Sequence, residues 1–202
     1  MVNPFFYLPS ALLLNSSAQR TLMRPTTTMA TSKLFSSIAG SSSLPQPIID
    51  PSTGEEVIDL DEKLKDKRVA LYFTAGWCPM CTSFEPALMS FQQNAKDAGK
   101  PIELIYISSD RNEETNIKRA SQLNMYTVPF GDQTAELKKK YKIWAGSETF
   151  QFGFGRRSGV PAIVVLDKTG EELAFVAAES QGAKALATWP LDEALGIWGT
   201  KN

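Results

Sequence analysis

Three short apolar runs punctuate an otherwise amphipathic chain, and each has the length of a strand. Residues 68–74 (RVALYFT), 101–108 (PIELIYIS) and 160–166 (VPAIVVL) are near-continuous in apolar character, the pattern of strands covered on both faces. Residues 82–98 have helical spacing closed by Gly99, residues 113–123 form a second helix and residues 136–144 a shorter basic one. Pro51 to Gly54 predicts a turn, followed by a short edge strand over 55–60. Asp167-Lys168-Thr169-Gly170 turns the third strand into residues 172–176, which predicts a β-hairpin. A last helix is expected over 183–197, interrupted near Trp189-Pro190. This order predicts an α/β fold: a central mixed sheet with helices on both faces, in one domain over residues 48–202.

The first 47 residues read differently. Residues 5–14 are apolar but too short to span a bilayer as a helix. The stretch after them is rich in Ser and Thr and free of acid, with Arg20, Arg24 and Lys33 as its cations. This is the composition of an organellar (mitochondrial or plastid) targeting segment, while Met29 offers an alternative start that gives a cytosolic form. Residues 41–47 read as the linker into the domain. The whole chain carries −1, so the three leader cations leave an acidic body. Neither nucleic acid nor stable membrane insertion is expected of it. Lys138-Lys139-Lys140, interleaved with Leu137, Tyr141 and Trp144, reads as the solvated face of a helix.

With 0 histidines, the chain offers no Ser-His-Asp or Cys-His catalysis and no imidazole metal ligand. Its 2 cysteines stand together in Trp77-Cys78-Pro79-Met80-Cys81, between a buried strand and a helix. A cysteine at a helix N-terminus faces unpaired N–H groups and the positive end of the dipole, and both stabilise a thiolate. Two intervening residues let the second sulfur turn back on the first. Cys78 is therefore the expected nucleophile and Cys81 the resolving thiol. The rival is zinc, for which two thiolates are half a tetrahedral set, leaving only a site shared between two chains. The Gly-rich Phe152-Gly153-Phe154-Gly155 lacks the strand-then-helix setting of a dinucleotide site. No bound cofactor is expected beyond the redox-active disulfide Cys78–Cys81. Electrons then come from outside, from a thioredoxin reductase or a glutathione-type thiol.

The motif after an apolar strand resembles the thioredoxin superfamily, and Pro86 matches the proline that kinks that family's active-site helix. Tyr72-Phe73-Thr74-Ala75, Phe84-Glu85-Pro86-Ala87-Leu88, Val128-Pro129-Phe130-Gly131-Asp132, Gly159-Val160-Pro161 and Trp189-Pro190 resemble its nucleoredoxin and tryparedoxin branch. The resemblance implies a reductase of protein disulfides, with a redox-sensing adaptor as the alternative and a peroxidase as a weaker third. It implies a cis bond before Pro161, substrate contact by Trp77, Pro79, Met80, Val160 and Pro161, and the Val160 backbone pairing with an extended substrate segment. Three departures stand out. Tyr72 occupies the position of the buried acid of thioredoxins proper, which leaves Tyr72 and Glu85 as candidates for a proton relay, Glu85 reading otherwise as a solvated helix charge. Thr82 stands where the branch often has a basic residue. Residues 146–158 form a loop longer than in relatives, and its Arg156-Arg157 is a candidate specificity element for acidic partners.

Overall fold

A computed structural model describes residues 44–200, so the targeting segment expected ahead of them lies outside the described residues. The sheet has seven strands: β1 (Ile49–Asp50), β2 (Glu55–Glu56), β3 (Arg68–Thr74), β4 (Ile102–Ser108), β5 (Tyr126–Thr127), β6 (Ala162–Leu166) and β7 (Glu172–Val176). Their spatial order is β2-β1-β5-β4-β3-β6-β7. β3, β4 and β5 run parallel, while β6 and β7 continue antiparallel from β3, and β1 pairs antiparallel with β5. The six helices are α1 (Leu60–Leu64), α2 (Pro79–Asp97), α3 (Glu113–Gln122), α4 (Asp132–Tyr141), α5 (Thr149–Phe152) and α6 (Ala178–Gln181).

Every residue of β3 is buried, because helices cover both faces of the sheet. Val69, Leu71 and Phe73 point to one face, among Leu60 and Leu64 of α1 and Leu137 and Tyr141 of α4. Ala70 and Tyr72 point to the other, among Phe84 and Leu88 of α2 and Ala120 of α3. The two-residue period of a strand therefore sorts the core into two layers. Leu44 is already buried, four residues ahead of Ile48.

Three elements differ from expectation. The edge strand over 55–60 shrinks to Glu55–Glu56, because Asp59 takes a left-handed conformation and Leu60 turns inward as the first residue of α1. The basic helix starts four residues early, at Asp132 after Gly131, and ends where Lys142 adopts φ 56. The last helix dissolves into α6, one turn long, and 3-10 segments over Gly182–Thr188 and Ala194–Gly196. Gly182 at φ 56 breaks the first of these junctions, and Pro190, with no N–H, prevents the second from closing. Among the described residues no helix is long and apolar enough to cross a membrane.

Candidate active site

The dithiol stands at the carboxyl end of β3, where the strand hands over to α2. The Cys78 N–H donates to the Ala75 carbonyl at 3.1 Å, which closes the connecting turn. Cys78 is the extended N-cap of α2, and Pro79 fills the first helical position, where a missing N–H costs nothing. The Cys81 N–H donates to Cys78 Sγ at 3.4 Å, so the helix terminus aims a backbone dipole at the outer sulfur. Both cysteines are free thiols. Cys78 keeps 7% of its surface exposed and Cys81 none. Burial first of all, and the adjoining Cys78 side chain after it, push the Cys81 thiol up to about 12. The inner cysteine therefore holds its proton until something removes it.

A rim surrounds the outer sulfur. The Val160 carbonyl lies 3.8 Å from Cys78 Sγ, and the Val160-Pro161 bond is cis. Trp77 is 44% exposed and Met80 49%, with Pro79 exposed between them. Trp77 is held by an indole N–H bond to the Ser109 carbonyl at 2.8 Å. The Gly76 N–H donates to Asp110 Oδ1 at 2.8 Å, and the other oxygen of that carboxylate accepts from Tyr106 and Ser108. Trp77, Pro79, Met80, Val160 and Pro161 are thus all gathered around Cys78. Thr82, at the departure from the branch pattern, uses its hydroxyl to close the first turn onto the Pro79 carbonyl at 3.1 Å.

Beneath the pair the surroundings are polar and closed. Glu85 is not a solvated helix charge. It is 5% exposed, because it faces inward one turn beyond Cys81, and it pairs with Arg119 of α3. Burial raises its carboxyl above the usual range, partly offset by the Arg119 guanidinium. Tyr72 is fully buried, and burial raises its phenol first of all, with Cys81 and Glu85 adding to the shift.

The arginine pair is also placed differently from expectation. Arg157 makes two bonds to the Glu172 carboxylate at 2.8 and 2.9 Å and stacks on Phe175 with its guanidinium 3.9 Å from the ring centre. Arg156 donates to the Trp144 carbonyl at 3.1 Å and pairs with Glu179 at 3.4 Å. Both charges are therefore paired within the domain while staying partly exposed, and the Arg156 pair ties down the loop before Pro161. Glu179 also accepts from the Ser158 hydroxyl at 3.2 Å and from the Gly159 N–H. A Cβ on residue 159 would lie 2.1 Å from Glu179 Oε1, so any side chain there must displace the carboxylate that holds this loop. This loop also presents Phe150 and Phe154, both fully exposed.

Lys138 corrects the reading of the lysine run. It is 3% exposed, pairs with Glu148 and lies over the Phe152 ring. Burial lowers its ammonium, with Glu148 opposing that shift. Glu148 in turn accepts from the Ser109 hydroxyl and the Ala145 N–H, each at 2.8 Å. Ser109 thus links this pair to Trp77. Arg119, Asp110, Glu148 and Glu179 escaped the sequence reading, since each works through a partner remote in the chain. The one local signal is the Ser108-Ser109-Asp110 cluster that ends an apolar run.

This fold and its buried-and-rimmed dithiol define a thioredoxin-like redox domain. A family model described as Thioredoxin-like matches residues 66–172. The chain is 31% identical to a probable nucleoredoxin 1 of Arabidopsis thaliana over 131 residues, covering 64% of this chain and 20% of that protein. It is 32% identical to the nucleoredoxin of Mus musculus over 110 residues, 54% of this chain and 22% of that one. Among solved structures, tryparedoxin I of Leishmania major superposes with a TM-score of 0.51 at 22% identity, covering 71% of this chain and 90% of that one. The chain belongs to the thioredoxin-like family, and the relatives it resembles in sequence include nucleoredoxins. It spans about a fifth of the length of these two nucleoredoxins.

Proposed function

We propose that the domain reduces disulfides of protein substrates by dithiol exchange through Cys78 and Cys81. The observation that carries this reading is the asymmetry of the pair, one sulfur at a helix N-terminus under an open rim and the other sealed behind it. The Cys78 thiolate attacks one sulfur of a substrate disulfide, that S–S bond breaks, and the departing sulfur leaves as a thiolate that takes up a proton. Cys81 then loses its proton and attacks Cys78 Sγ, the mixed disulfide breaks, and the second substrate thiol is released. Two electrons have passed to the substrate, and the Cys78–Cys81 disulfide remains to be reduced by an external thiol. Trp77 and Met80 give an extended substrate segment an apolar surface, and the Val160 backbone offers it main-chain hydrogen bonds.

Insulin reduction by dithiothreitol tests the proposal. The wild-type protein is expected to accelerate it well above dithiothreitol alone, and Cys78→Ser to return it to that background. A wild type no faster than the background, or a Cys78→Ser variant as fast as wild type, overturns the reading.

A further inference from the structure

Resolution requires a proton to leave a sulfur that has no access to solvent. Cys81 is fully buried, and the acid that serves this purpose elsewhere in the superfamily is here Tyr72, as the sequence indicates. Four buried polar atoms in this part of the core have no hydrogen-bond partner in the protein: the Tyr72 hydroxyl, the Thr74 hydroxyl, Glu85 Oε1 and Arg119 Nε. They belong together. Tyr72 and Thr74 share one face of β3, the face that packs on α2. Glu85 follows Cys81 by four residues on that helix, which puts both on one side of it, and Arg119 reaches Glu85 from α3. The Thr74 hydroxyl lies close enough to the Tyr72 phenol and the Cys81 thiol to favour the anion of each, while remaining outside full hydrogen-bond geometry.

Unpartnered polar groups in a core are expensive unless water reaches them, and one water satisfies about three such groups. We infer that Glu85 receives the Cys81 proton through ordered water held against Tyr72 and Thr74, so that the carboxylate drives resolution of the mixed disulfide. The inference rests on the exchange function proposed above. Cys81–SH gives its proton along the water to the Glu85 carboxylate, the Cys81 thiolate forms the bond to Cys78 Sγ, and the substrate sulfur leaves with the bonding pair. The Glu85 carboxylic acid then returns its proton to solvent or to the departing thiolate. Arg119 positions the carboxylate and, by its charge, opposes the burial that raises its pKa. The other charged and titratable groups near Glu85 are Tyr72 on β3, which also adjoins Cys81, and Asp110 at the end of β4, with Tyr106 hydrogen-bonded to Asp110 behind it.

The reduced full chain, mixed rapidly with dithiobisnitrobenzoate, reads both steps. The first coloured thiol reports attack by Cys78 and the second reports resolution by Cys81. In Glu85→Gln the ratio of the second rate to the first is expected to fall about a hundredfold at neutral pH, the scale of general base catalysis. In wild type the second rate should rise with pH through an inflection above the ordinary carboxylate range and then level. In Glu85→Gln it should climb without that inflection towards the thiol's own value of about 12. Tyr72→Phe removes one hydroxyl at constant shape and should lower the ratio about tenfold, which keeps the inference testable if Glu85→Gln folds poorly. Ratios within twofold of wild type in the folded variants, or an unchanged pH profile, overturn the relay. A wild type that releases only the first thiol overturns the exchange function itself.

Discussion

Cys78 and Cys81 are one helical turn apart and live in opposite surroundings. The outer sulfur meets backbone and rim: the Cys81 N–H, the Val160 carbonyl and the exposed Trp77 and Met80. The inner sulfur is sealed against Cys78, Thr74 and the Ala75 backbone, and in the core beyond it are a buried carboxylate and two hydroxyls without protein partners. The outer half follows from local chain geometry, a strand running into a helix with proline at its first position. The inner half exists only because β3, α2 and α3 pack together. The same motif can thus keep its nucleophile while its proton chemistry is rebuilt beneath it.

The rim is most easily broken at Gly159. Gly159→Val would displace the Glu179 carboxylate from the Ser158 and Gly159 donors and so release the loop that carries Val160 and Pro161. The expected loss is about a hundredfold in kcat/KM for a protein disulfide, the order that a small misplacement of a reacting group costs. A loss below threefold would mean that the loop does not position substrate. The support behind Trp77 is tested by Lys138→Met, which strips the half-buried Glu148 of its buried cation. Loss of one partner from such a pair costs about 3 kcal/mol, read by urea unfolding, and a change under about 1 kcal/mol would contradict the burial argument.

The inner half gives a pH signature. The Cys81 thiol titrates near 9.0 when unperturbed and is held up to about 12 in the fold. The unfolded chain therefore releases this proton first, and the reduced protein should lose stability as pH rises between those values. The disulfide form has no such proton, so its stability should be flatter over the same interval. Parallel loss in both forms would place the titration elsewhere. The smallest effect is expected of Arg157→Ala, whose ion pair and ring stack are partly exposed. About 0.5–1 kcal/mol of stability should go, with no change in the relative rates for acidic and basic disulfide substrates. A charge-dependent shift would restore the arginine pair as a steering element.

The sheet was legible wherever burial on both faces leaves a continuous apolar run. β3 falls over the anticipated residues, and β4 and the β6–β7 hairpin within one or two of them. The dithiol's place at the helix start was equally legible, because strand, turn and helix are contiguous in the chain. β5 was not, since two residues held between β4 and β1 carry no periodicity of their own. Glu85 and Lys138 were misread, and the pairing of Arg156 and Arg157 was missed, for a common reason. A charged residue in an amphipathic segment looks solvated unless its partner is known, and their partners Arg119, Glu148, Glu179 and Glu172 stand between 10 and 34 residues away. Long-range pairing leaves no mark on local pattern.

The division of labour between the two sulfurs is the claim on which the rest depends. Cys81→Ser and Cys78→Ser, each incubated with a disulfide-bonded protein and weighed intact by mass spectrometry, test it directly. Cys81→Ser should accumulate a mixed disulfide through Cys78, stable until dithiothreitol is added, while Cys78→Ser should accumulate none. Equal trapping by the two variants, or trapping through Cys81 alone, would contradict the account.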